Sequence, residues 1–205
     1  MPPDFRPTIT PERLATAYTY AGYRHLIDQL LAEGRTTGPQ QSEALTHYTE
    51  LNVQRMSRLD KTIKLLPELA RAAQQLGQRY EWLILTEGWC GDAAQLVPVM
   101  EAVAQASAGR IQTRYLLRDD NLDLMDQYLT GTSRAIPRLI VFEAATLREV
   151  FNWGPRPAPA QELLLRRIAE GVPHDDYIKE IHAWYAHDKT QTLQRELLAL
   201  VQLLK

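Results

Sequence analysis

Trp89-Cys90-Gly91-Asp92 is the stretch of this 205-residue chain whose residue types and placement could do chemistry. Cys90 is the single cysteine. Ahead of it lies WLILT (Trp82–Thr86), a short run apolar on both faces, as in an inner strand of a covered sheet. Behind it, Ala93–Ala106 reads as a helix. A cysteine at such a junction faces the unpaired N–H groups and the positive dipole end of the helix, and both stabilise a thiolate. A thiolate there is a nucleophile near neutral pH. On position alone, an inert buried thiol is an equally good reading. Asp92 suits a helix N-terminus, yet its charge beside Cys90 opposes thiolate formation.

Other chemistry is thinner. One cysteine excludes an intramolecular disulfide and a multi-cysteine zinc or iron–sulfur cage, so no metal site is expected. His174, His182 and His187 have no i, i+4 ligand spacing and no acid cluster, and are expected as surface or helix-cap residues. Arg118-Asp119-Asp120 is expected as a polar loop capping the next helix rather than a metal or phosphate site. A net charge of −2 and a pI near 6.2 argue against nucleic acid as a partner. No apolar run approaches the roughly 20 residues of a membrane span. The opening MPPDFRPTITPERL has no apolar stretch for a signal peptide, so the expected location is cytoplasmic, with no membrane partner.

The elements that must position Cys90 follow from periodicity. Three prolines in the first ten residues read as an extended lead-in. Thr10-Pro11-Glu12 reads as a helix start. Leu14, Ala17, Tyr18 and Ala21 line one face, continued by Leu26, Ile27, Leu30 and Leu31 after a phase change near Gly22. Gly34 is a C-cap candidate, and Ser42-Glu43 opens a second helix. Its stripe of Met56, Leu59, Ile63, Leu66, Ala70 and Ala73 crosses Pro67, which should kink or restart it. After Trp82–Thr86 and its helix come a strand at Ile111–Leu117, a short helix at Leu122–Leu129, and strands at Arg138–Phe142 and Arg148–Trp153. A helix at Ala158–Glu170 follows. Two more helical faces close the chain: Tyr177, Ile178, Ile181, Trp184 and Tyr185, then Leu193, Leu197, Leu200, Val201 and Leu204. That leucine stripe suits either intramolecular core or a dimer seam.

Trp89-Cys90-Gly91-Asp92-Ala93 resembles the thioredoxin WCGPC motif. Pro98 matches the proline that kinks that family's active-site helix. Ala135-Ile136-Pro137 ahead of a strand is similar to its cis-proline loop, and Gly154 resembles the glycine flanking its active-site surface. The resemblance covers roughly residues 80–170. It implies an α/β, thioredoxin-like fold for the β-α-β-α-β-β-α sheet core, and the extra N-terminal and C-terminal helices read from periodicity lie outside it. The division is then a helical extension over residues 1–79 packed on the core, the core over 80–171, and C-terminal helices over 172–205, in one compact body. It also implies an exposed attacking Cys90 at the helix tip, with Pro137 against it in a cis bond and Ile136 offering its backbone to an extended substrate. A trans Pro137 at a strand start is the other reading.

The chain departs from the family where dithiol chemistry needs it. Ala93 replaces the second cysteine, so no resolving thiol exists. The family's buried acid falls at Ile84, and proline becomes Asp92. What the resemblance leaves is monothiol exchange at Cys90 on a protein or small-molecule disulfide. No bound cofactor is expected, and a low-molecular-weight thiol would be the co-substrate. Arg138 and Arg134 could hold that thiol's carboxylates, or be solvated surface residues. Trp89 and Gly91 would shape the site. The alternative is a thioredoxin-fold binding or scaffold module without catalysis.

Overall fold

The computed structural model describes residues 9–204. The expected lead-in lies almost wholly outside them. Four strands form one sheet: β1 (Tyr80–Thr86), β2 (Ile111–Leu117), β3 (Arg138–Glu143) and β4 (Glu149–Trp153), in the order β2-β1-β3-β4. β2 runs parallel to β1 in the register Tyr80 opposite Ile111 through Thr86 opposite Leu117. β3 is antiparallel to β1, placing Arg138 opposite Leu85, and β4 is antiparallel to β3. β1 is therefore an inner strand, and Trp82, Leu83, Ile84 and Leu85 are wholly buried. This is why its sequence is apolar on both faces.

Nine helices are described: α1 (Pro11–Thr16), α2 (Tyr20–Ala32), α3 (Glu43–Thr62), α4 (Pro67–Gln74), α5 (Gly91–Ala106), α6 (Leu122–Met125), α7 (Ala158–Ala169), α8 (His174–Asp188) and α9 (Gln191–Gln202). α5 buries Ala93, Ala94, Leu96, Val97, Val99, Met100 and Val103, residues that face every direction around its axis. A helix apolar all round must be covered on all sides. β2 contacts one side of α5, and α3 and α4 contact others. At the other end of the chain, Leu193, Leu197, Val201 and Leu204 of the C-terminal stripe are buried in the same hydrophobic core. α9 packs on α4, and the buried Gln194 side chain accepts from the Leu66 N–H at 2.7 Å.

The first helical pattern is two helices. Ala17 is extended, Tyr18 exchanges two 2.9 Å backbone hydrogen bonds with Tyr115 on the outer edge of β2, and Thr19 caps α2. Pairing of a strand edge outweighs one more helical turn there, and it shields that edge. Pro67 restarts the second helix as α4, after a break at 63–66. The helix expected over Leu122–Leu129 stops at Met125, and i→i−3 turns carry the chain to Tyr128.

Candidate functional site

Cys90 is the N-cap of α5: its sulfur accepts from the Ala93 N–H at 3.4 Å and its thiol donates to the Ile136 carbonyl oxygen at 3.3 Å. Helix, cysteine and the loop ahead of β3 are thereby tied together. The Ile136–Pro137 peptide is cis. Gly154 backs this loop from β4's end. Its φ is +121°, and a Cβ there would stand 2.3 Å from the Pro137 carbonyl oxygen, so only glycine fits.

The thiol is not exposed at the helix tip: Cys90 is 7% accessible. Trp89, the cis-proline loop and α8 wall a half-open cavity of about 360 Å³ beside it, of the size that takes a small ligand. Burial, with a further contribution from the Asp92 charge, pushes the Cys90 thiol up to about 12, against the pull of the Ala93 N–H and the Arg156 guanidinium. Here desolvation outweighs the helix end. Asp92 is itself buried, pairs with Arg156 at 2.5 Å and accepts from the Tyr185 hydroxyl at 2.7 Å.

Several residues named from sequence fall elsewhere. Arg138 does not reach the cavity. It is buried on β3, where its guanidinium donates to Thr130 and weakly to Asn152. As the first residue of an inner strand it pairs across from Leu85, so its side chain is committed to the sheet flank. Arg134 does line the cavity, held by a two-point ion pair with Asp126 at 2.6 and 2.8 Å. Arg118 lines it too, stacked over Trp89 at 4.8 Å and paired with Asp119 at 2.7 Å. Asn121, rather than an acid, occupies the cap of α6, without a side-chain capping bond. His187 is exposed as expected and His174 sits at the cavity mouth. His182 is not a surface residue: it is half-buried against Gly91, and its Nδ1 is buried with no hydrogen-bond partner.

Sequence reasoning also missed Arg55, Arg156 and Glu87. Arg55 projects from α3, its Nη1 donating to Asn52 Oδ1 at 2.8 Å, while Asn52 Nδ2 donates to the Gly88 carbonyl at 2.9 Å. The signal was a polar Asn52 inside the buried stripe Thr49, Asn52, Met56 and Leu59. Glu87 directly follows the buried β1 and is itself fully buried. Thr37 donates to it, as does the Asp119 N–H at 2.9 Å, and burial pushes its carboxyl up to about 7. Ile84, where the resembling family carries its acid, is wholly buried aliphatic core. Among the described residues, no three His, Cys, Asp or Glu side chains converge to hold a metal, and no helix is long and apolar enough to cross a membrane.

A helix-capping cysteine facing a cis-proline loop on a β2-β1-β3-β4 sheet defines a thioredoxin-fold site. The thioredoxin family model matches residues 38–177, and the chain belongs to that family. Two solved structures share the fold. One is a protein of unknown function from Pseudomonas aeruginosa, with 16% identity, TM-score 0.53, and coverage of 90% of this chain and 98% of that one. The other is an HIV epitope scaffold with 17% identity, TM-score 0.53 and the same coverage. No curated protein sequence matches the chain.

Proposed function

We propose that this thioredoxin-family protein performs monothiol exchange at Cys90 on the mixed disulfide of a small thiol. The observation that carries this reading is a ligand-sized cavity lined by Cys90 and Ile136, whose carbonyl accepts from the Cys90 thiol. In the first step the Cys90 thiolate attacks the small-thiol sulfur of a mixed disulfide. A Cys90–small-thiol disulfide forms, and the other sulfur leaves as a thiolate. A second small-thiol thiolate then attacks the small-thiol sulfur held on Cys90, which regenerates the Cys90 thiolate and releases the symmetric small disulfide. The sum converts one mixed disulfide and one free thiol into one free thiol and one symmetric disulfide, so no second protein cysteine is required.

A second reading has its own support. A thiol pushed up to about 12 is almost wholly protonated at neutral pH, which suits a binding module without turnover. Intact-mass analysis after exposure to glutathione disulfide separates the two. A single glutathione adduct on the native chain, absent from Cys90→Ser and removed by free glutathione, is the expected result. A native protein that stays unmodified over hours leaves the binding module as the function.

A further inference from the structure

Two residues from outside the sheet core converge on the first turn of α5. A Cβ added at Gly91 would lie 2.8 Å from His182 Cε1, 3.0 Å from His182 Nε2 and 3.6 Å from Arg55 Nη1. We propose that Arg55 and His182 form an anion subsite in the Cys90 cavity, holding a carboxylate of a small acidic thiol compound while its sulfur faces Cys90. This deepens the function proposed above and rests on the cavity being a ligand site.

The charge arrangement selects the anion. Of the cavity's arginines, Arg118, Arg134 and Arg156 each hold an acid partner, respectively Asp119, Asp126 and Asp92. Arg55 makes no ion pair among the described residues: it donates to the neutral Asn52, and Asp92, itself paired with Arg156, acts on it only through space. Asn52 is itself fixed by the Gly88 carbonyl, so the guanidinium is oriented before any ligand arrives. A preoriented guanidinium loses little freedom on binding, and its planar fork matches a carboxylate. A guanidinium without a direct acid partner is free to take a ligand carboxylate. His182 adds the Cε1–Nε2 edge of its ring beside Arg55 over Gly91, where Nε2 can donate to a carboxylate. The N-terminal end of α5, a 16-residue helix, adds a positive dipole on the same side. α8 walls the cavity with Ile178, Ile181 and His182, which favours a small molecule over an extended polypeptide.

The test is a calorimetric titration of the intact protein with S-methylglutathione, which carries a net negative charge and a thioether that cannot exchange. Saturable binding is expected. Arg55→Gln should weaken it about tenfold, the loss of one charge-assisted hydrogen bond. Gly91→Ala, which drives a methyl group between His182 and Arg55 without altering charge, should weaken it as well. Arg71→Gln, on the exposed face of α4, should leave it unchanged. The diethyl ester of the same compound should fail to bind. Native affinity in both Arg55→Gln and Gly91→Ala overturns the proposal. So does equal binding of the ester, or no saturable binding by the native protein. Because the probe forms no disulfide, these outcomes are independent of whether Cys90 exchanges, which the adduct assay reads separately.

Discussion

Tyr185 donates its hydroxyl hydrogen to Asp92 at 2.7 Å across 93 positions of sequence, joining α8 to the first turn of α5. Arg156 reaches the other oxygen of the same carboxylate at 2.5 Å. Asp92 is thus the point where the C-terminal helices and the segment after β4 both meet the helix that carries Cys90. Its charge is matched inside the protein rather than by water.

Removing Arg156 should therefore be costly. Arg156→Met leaves a buried carboxylate with one hydroxyl partner, and loss of one member of a buried pair costs about 3–5 kcal/mol. Urea unfolding at pH 7 reads this directly. A change below about 1 kcal/mol would place the pair in the class of surface ion pairs instead.

Cys90 should behave as a shielded thiol. Its alkylation rate by iodoacetamide is expected to climb with pH through 10 without levelling near 7, because burial and Asp92 both disfavour the thiolate. Asp92→Asn keeps an oxygen for Tyr185 and removes the opposing charge, so the rate at pH 8 should rise several-fold. A plateau below pH 8 in the native protein would contradict the burial argument.

Glu87 gives the protein a pH-dependent stability of definite sign. Its folded value is raised to about 7 from an ordinary 4.5, so the native state holds the proton more tightly than the unfolded chain. The corresponding stability is full below about 4.5 and is lost as pH rises through 7. The span is on the order of 3 kcal/mol. Glu87→Gln should flatten this dependence, seen as parallel melting temperatures at pH 5 and pH 7.5. An unaltered slope in that variant would assign the dependence to another group.

Gln194 should matter to both ends of the chain at once. It accepts from the Leu66 N–H and donates to the Lys64 carbonyl at 3.3 Å, in the break between α3 and α4. Gln194→Leu strands both backbone groups and should cost about 2 kcal/mol. Hydrogen exchange at Leu66 should quicken in the same variant; native-like exchange there would mean the bond is dispensable.

Much of the fold was legible because its signals are local. The β2 strand matched its expected ends, Ile111 and Leu117, and Ser42 and Pro67 mark the starts of α3 and α4. The α1–α2 break was misplaced to Gly22, since the pairing of Tyr18 with Tyr115 is long-range and leaves no periodic trace. Within the site, Cys90, Ile136, Pro137 and Gly154 lie in short motifs that read as a unit. Arg138 was misdirected because one residue of strand register decides whether a side chain flanks the sheet or faces the cavity.

Local pattern determined that Cys90 sits at a helix start after an inner strand, and the resemblance of its short motifs to the thioredoxin family implied a thioredoxin-like sheet around it. These depend on neighbours a few positions apart. The surroundings of that thiol were decided only in three dimensions. Arg55, Arg156, His182 and Tyr185 come from α3, the segment after β4 and α8, and no spacing rule relates them. Their arrival turns an exposed helix tip into a cleft that buries the thiol, because desolvation and charge pairing depend on distance through space and not along the chain.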